Sequence, residues 1–422
     1  MPTRAGRRRF GLALGLMLIA LALALALGYW LWDEPLSPEA DAWLRAATPE
    51  GGDAPGYLYL LGLDAADGDP EAIGRQRLEA YRQRRAGSAS SRDAPSPDHP
   101  KLARPPRCAL PEACRARWAD GQGGSPWEAH GELLRRYRQA LAYSSYRSGA
   151  TPGALEPWPD LTYLLDANRL LNAQALAGAR SDGAAARDML ERDLASARRM
   201  LSLVDLLILK AALLKIIGRD LDSLAWLHQR GLIPSPSRQV PLSDAERSLW
   251  APMRREFAGG AQLFRQGLFD GPPSPEARLE RALATLFFKP GMSINRLLPG
   301  YRQAAEASRL DARAFARALK TPAPALPEGD WRNRMGNVLT DIRQDWNPFI
   351  ARFHDLDGKL RLYERLLALP SGEAPDPQAF ADLPGLYAEA DRPQWDAQAG
   401  RLCWPGPWAD RDTTRCLDLR RE

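Results

Sequence analysis

Histidine and cysteine are scarce: the chain of 422 residues holds four of each. The histidines, His99, His130, His228 and His354, are scattered, and no H-E-x-x-H pair occurs. Neither local cysteine pair, Cys108 with Cys114 or Cys403 with Cys416, has C-x-x-C spacing. The ligand spacing of a structural zinc site is therefore missing. So are a P-loop and a G-x-G-x-x-G turn, which removes the familiar phosphate cradles. No unit repeats at a fixed period, so a regular solenoid is not supported. Long uncharged apolar runs are lacking as well, with one exception.

The exception is Phe10 to Trp32, which carries no charge and is built mostly from Leu and Ala with Phe10, Met17 and Ile19. As a helix it would reach about 34 Å, enough for a hydrocarbon core of about 30 Å. Arg4, Arg7, Arg8 and Arg9 precede it, and Tyr29, Trp30 and Trp32 close it. Basic residues hold a flank in the cytoplasm, and aromatic rings suit the far interface. Ala22, Ala24 and Ala26 offer a signal-peptidase site, but a signal-peptide core usually runs for about 7–15 residues. This stretch is longer, so a retained anchor is expected. Residues 1–9 then form a cytoplasmic tail, 10–32 a single transmembrane anchor, and 33–422 a part outside the cytoplasm.

That placement accounts for the charge. The chain has 57 Lys and Arg against 52 Asp and Glu. Without the four arginines before the anchor, the balance is 53 against 52. The basic pI of about 9.1 thus belongs to the flank of the anchor, and no nucleic-acid partner is expected. An even cysteine count in an oxidising compartment favours disulfides. Short loops favour Cys108–Cys114 and Cys403–Cys416, with free buried thiols as the alternative.

The exported part reads as mainly α-helical, an irregular multi-helix domain that ends in a small β-hairpin. We divide it into an N-terminal helical lobe (33–150), a central helical domain (151–370) and a C-terminal segment (371–422). Ser37-Pro38-Glu39 opens a short helix. Tyr57 to Leu63 is apolar and fits either a strand or a helical turn. Asp69-Pro70-Glu71 caps a helix to about Arg85, and 86–107 reads as a loop. Residues 128–146 give an amphipathic helix with Arg135, Arg136 and Arg138 outside. The run Leu203 to Ile217 is apolar nearly all round and is expected to be a buried central helix that Gly218 stops. Another helix then runs from Asp220 to Arg230. Ser243-Asp244-Ala245-Glu246 is a capping box, and Ser274-Pro275-Glu276 starts a helix carrying Leu279, Leu283 and Phe287. Phe349, Phe353, Leu356, Leu360, Tyr363 and Leu367 make one unbroken helical face. The hairpin is placed at Gln394 to Trp404.

Three stretches invite a chemical reading. His354-Asp355-Leu356-Asp357-Gly358 looks like a metal or acid–base cluster, but an EF-hand loop from Asp355 would put Leu366 where a carboxylate is needed. Solvent-side i,i+4 pairs, Asp355 with Lys359 and Asp357 with Arg361, explain the charges better. Asp64, Asp67 and Asp69 read as a turn plus the N-cap at Asp69, not a cation site. Lys289 and Ser293 lack the order of an S-x-x-K dyad, and Gly291-Met292-Ser293-Ile294-Asn295 lacks the second glycine of a nucleophile elbow. Ser293 is expected to cap a helix. No catalytic residue, cofactor or metal ligand emerges, and the reading leans away from an enzyme.

YLYLLGLDAADGDPEAIGR at 57–75, the Cys108–Cys114 pair, LLRRYRQAL at 133–141, the helix around 203–217 and FHDLDGKLRL at 353–362 together resemble a group of uncharacterised single-pass bacterial envelope proteins. No function attaches to that group, so no site comes with the resemblance. The anchored helical plan is also similar to that of membrane-bound lipase foldases. Their R-x-x-F-D-Y motif is missing, and Arg255-Glu256-Phe257-Ala258 does not supply it. The expected role is binding: a scaffold or accessory protein with a protein partner in the envelope. The alternatives are an envelope hydrolase with a site assembled from distant residues, or a carrier of lipid or another small ligand.

Overall fold

A computed structural model describes residues 4–47, 52–86, 99–106, 125–153, 156–267, 286–321, 328–342, 344–371, 376–409 and 414–419. The described chain is mainly helical, with a small antiparallel sheet at its C-terminal end. The first helix, α1 (Arg4–Leu31), is long and apolar enough over Leu12–Leu31 to cross a membrane, and the rest of the protein buries none of that stretch.

Helix α2 (Pro38–Ala47) begins where expected, with Ser37 Oγ accepting the Ala40 N–H at 3.1 Å. The ambiguous apolar run is helical: α3 (Pro55–Gly62) packs antiparallel on α4 (Pro70–Ala86), capped by Asp69 through the Ala72 N–H. The two approach closely enough that a Cβ on Gly74 would lie 1.8 Å from the Leu58 carbonyl oxygen. Next come α5 (Gly131–Ala142), α6 (Leu161–Gly178) and α7 (Gly183–Leu203), the last two capped by the side chains of Asp160 and Asp182.

Helix α8 (Leu207–Gln229) is the buried centre, and it departs from expectation at both ends. Leu203 closes α7, and an extended link precedes Leu207. Gly218 does not stop the helix. A glycine with helical dihedrals costs an interior turn only about 1 kcal/mol, and packing on all sides of α8 outweighs that. Beyond it lie α9 (Trp250–Gln262), α10 (Pro290–Ala307), α11 (Ala312–Leu319), α12 (Arg334–Asp341) and α13 (Asn347–Leu367). The Ser243 capping box forms with both reciprocal bonds, but it opens a helix of only four residues.

Near the C-terminus, β1 (Gln394–Asp396), β2 (Arg401–Cys403) and β3 (Cys416–Asp418) pair antiparallel in that order. The expected hairpin is present as β1–β2, extended by a third strand. Cys403 lies opposite Cys416 in the ladder, and the two are disulfide-bonded. Cys108, Cys114 and the expected helix start at Ser274 lie outside the described residues. One continuous buried apolar cluster runs from Ala40 to Leu419; α1, β1 and the four-residue helix add nothing to it, and α12 only packs the partly buried Leu339 against it.

Helix α1 is seated on this body by specific contacts. The Trp30 indole N–H donates to the Leu286 carbonyl at 2.7 Å, and its ring meets those of Trp331 at 4.2 Å and Phe287 at 6.1 Å. Arg332 lies over the Tyr29 ring at 4.1 Å and donates to the carbonyls of Tyr29 and Trp32. Asp330 pairs with the same guanidinium at 2.6 Å. Asp33 then caps α10, accepting the backbone N–H groups of Gly291 and Met292. A carboxylate there satisfies orphan donors and faces the positive end of the helix dipole.

Candidate functional site

The cluster at His354 is the best-formed motif in the chain, and most of it faces inward. Asp355, Asp357 and Lys359 are all buried, so the solvent-side pairs expected from spacing do not form. Asp355 accepts the Tyr387 hydroxyl at 2.7 Å and lies 3.7 Å from Arg415. Asp357 accepts the Leu242 N–H at 2.6 Å and an Arg247 N–H at 3.0 Å. Lys359 donates to Asp222 of α8 at 2.7 Å. Gly358 leaves room for the C-terminal segment: a Cβ there would meet Leu386 at 2.7 Å and Trp404 at 2.8 Å. The Trp404 indole N–H reaches the Gly358 carbonyl at 2.9 Å. The motif is thus a joint at which α13 gathers α8, the Leu242–Arg247 loop and the C-terminal segment. A buried charge persists only when paired and hydrogen-bonded, and each of these three has a partner from another part of the chain.

His354 itself packs against Phe315 of α11, ring centroids 5.0 Å apart, and its Nε2 has no hydrogen-bond partner. Burial holds its pKa down at about 4, with Arg247 pushing the same way, so the ring is neutral. The other histidines do not join it. No group of three or more His, Cys, Asp or Glu is placed to hold a metal ion among the described residues.

The remaining sequence candidates resolve into structure. Asp64 is buried and paired with Arg77 and Lys101, Asp67 is exposed, and Asp69 caps α4. Ser293 does not cap a helix as expected. It lies inside α10, which starts at Pro290, and its hydroxyl donates to the Lys289 carbonyl at 2.8 Å while accepting from Asn333 at 3.0 Å. Proline at the first helical position fixes the start four residues earlier than a serine cap would. Arg136, placed outside by periodicity, is buried and donates to the Ala65 carbonyl at 2.5 Å.

Two further features were not singled out from the sequence. The first is a closed polar cluster between α5, α6, α7 and α8. Asp193 accepts from the Tyr137 hydroxyl and from Asn168, both at 2.9 Å. Asp220 accepts from Asn168 at 2.9 Å and Asn172 at 2.8 Å. Burial pushes the Asp193 carboxyl up to about 6 and that of Asp220 far above its ordinary value, with the neighbouring Asp193 charge adding to the rise. Two carboxyls so placed cannot both ionise, so Asp220 keeps a proton. Its Oδ2 is buried and has no hydrogen-bond partner.

The second is an open groove of about 340 Å³ between α11, α13 and the C-terminal segment, lined by Asp311, Arg313, Arg317, Arg361, Pro384 and Leu386 among others. Asp311 caps α11 through the Ala314 N–H at 2.7 Å, which sets Arg313 and Arg317 one turn apart on that helix. Arg313 is held by the Gly385 carbonyl at 3.2 Å. Arg317 and Arg361 have no hydrogen bond or ion pair among the described residues. Three guanidinium groups against one carboxylate make this a cationic groove, and planar guanidinium forks suit carboxylate or phosphate oxygens. The available signal was the pair Arg313 and Arg317, like charges at i,i+4, which an isolated helix disfavours. Arg361 comes from a segment 44 positions later, so spacing alone could not join it to them.

No protein-family model matches the chain, and neither a curated protein nor a solved structure matches it.

Proposed function

We propose that this is a single-pass protein of the bacterial inner membrane whose helical domain faces the periplasm and works by binding. In this reading it is a scaffold or accessory protein, and the groove of Arg313, Arg317 and Arg361 takes an acidic segment of an envelope protein. The observation that carries the reading is the two unpaired guanidiniums, Arg317 and Arg361, held on separate helices over one groove. The apolar helix behind a basic flank, the Cys403–Cys416 disulfide and the resemblance to envelope proteins support the compartment. The firm seat of the domain on α1 supports a tether role, because a bound partner would be held at a set distance from the bilayer.

The test is a pull-down of the full chain from mildly solubilised membranes, beside the double variant Arg317→Glu/Arg361→Glu. A stoichiometric protein partner is expected with the parent chain and should be lost with the variant. No stoichiometric partner, or one kept equally by both, would overturn the reading. Co-purified anionic lipid in place of protein would overturn the assignment of the groove to a protein.

A further inference from the structure

Beside the seat of α1 lies an apolar stripe that nothing in the body covers. Trp331, Met335, Val338 and Ile342 are 52, 37, 63 and 76 % exposed. Met335 and Val338 stand one turn apart on α12, Trp331 in the short 3-10 turn that leads into it, and Ile342 directly after its last residue. The opposite face is committed. Gly336 sits so close to α10 that a Cβ would lie 2.1 Å from Ser293 Oγ, while Asn333 and Thr340 are buried. Arg296 of α10 further pins α12 through the Asn337 carbonyl and Asp341. The stripe therefore cannot turn inward.

Its position says what covers it. Trp331, the first residue of the stripe, is the residue whose ring packs on Trp30 at the end of α1. Its neighbour Arg332 is bonded to the last backbone carbonyls of that helix. Phe287, 41 % exposed, extends the patch on the other side of Trp30. The stripe is thus continuous with the apolar surface of α1, and exposed Arg334 flanks it. An amphipathic helix with aromatic and aliphatic residues on one face and a basic residue at its edge suits the boundary of headgroups and acyl chains.

We infer that Trp331–Ile342 is an interfacial element that lies on the outer leaflet and inserts Trp331, Met335, Val338 and Ile342 among the lipids. This inference rests on the proposal that α1 spans a membrane. Together, α1 and α12 would fix the tilt of the whole domain, where α1 alone would leave it free to rotate.

The test uses the full chain in native membranes, with the photo-cross-linking residue benzoylphenylalanine placed singly at Val338, at Leu21 in α1, and at Val240, which is 70 % exposed on a distant loop. Phospholipid adducts at Val338 are expected at about ten times or more the level at Val240, in line with insertion of an apolar face. Lipid adducts at Leu21 with none above background at Val338 would overturn the inference and leave the anchor standing. Protein adducts at Val338 in place of lipid would overturn it in favour of a protein interface. Absence of lipid at both Leu21 and Val338 would overturn the anchor and the inference together. As a second readout, Val338→Asp with Ile342→Asp should lower lipid adducts at Met335 about fivefold or more while the thermal midpoint in detergent stays unchanged. Unchanged adducts in that variant would overturn the inference.

Discussion

The cluster at Asp193 and Asp220 and the groove at Arg317 and Arg361 are both groups of polar and charged side chains, and they behave in opposite ways. In the first, two carboxyls are shut between four helices, one keeps its proton, and the amides of Asn168 and Asn172 are spent on them. In the second, cations are left without partners at the surface. Desolvation separates the two cases. Burial makes every unmade hydrogen bond expensive, so an interior cluster is used up internally. Exposure lets a charge wait for a ligand at little cost.

The sharpest way to break this contrast is at Asp220. Asp220→Ala strips the acceptor shared by Asn168 and Asn172 and should cost about 3 kcal/mol, seen as a lower thermal midpoint of the full chain in detergent. Asp220→Asn keeps the shape of the neutral acid and should cost under about 1 kcal/mol. Equal losses would mean that the carboxyl is ionised in the fold, and the interior half of the contrast would fail.

Next in size is Lys359→Met, which leaves Asp222 facing a buried edge without its cation and should cost about 2–3 kcal/mol. A loss near zero would place that pair with the surface charges.

Acid titration gives effects of similar size with two opposite signs. Asp193 has a raised folded pKa of about 6 against an ordinary 3.8, so its contribution is complete below pH 3.8 and is lost as pH rises through about 6. His354 has a lowered folded pKa of about 4 against 6.5, so its contribution is present above pH 6.5 and is lost as pH falls through about 4. Each is worth on the order of 3 kcal/mol over its full titration. The denaturation midpoint of Asp193→Asn should fall more steeply toward acid than that of the parent, and His354→Phe should fall less. The reverse ranking would refute both assignments.

The smallest change in stability is expected at the groove: Arg317→Glu with Arg361→Glu should shift it by no more than about 0.5 kcal/mol while abolishing partner capture. A large destabilisation would show that these arginines hold the fold together and are not free for a ligand.

Periodicity exposed much of the helical plan. The face from Phe349 to Leu367, the caps at Ser37 and Asp69 and the turn before β2 were all legible, because each rests on neighbours within one or two turns. Periodicity misplaced Arg136, Asp355, Asp357 and Lys359, since a charged residue is assigned to solvent unless its partner is known. Their partners Ala65, Tyr387, Arg247 and Asp222 lie far along the chain. Gly218 misled for a related reason: intrinsic helix propensity is weak, and burial of α8 overrides it. The spacing of Trp331, Met335, Val338 and Ile342 was visible in the sequence, yet the same pattern ordinarily marks a face turned to the core.

By itself, the sequence determined the long apolar helix with its basic flank, the helical class and the caps at Ser37, Asp69 and Ser243, and it favoured the pairing of Cys403 with Cys416 over free thiols. These depend on composition and on spacing over a few residues, where local dihedral preference and side-chain period decide. The tertiary structure alone decided which charges are spent, which guanidiniums converge over one groove, and which apolar face stays bare beside α1. Those outcomes depend on which distant segments meet, and contact between segments is settled by packing of the whole core.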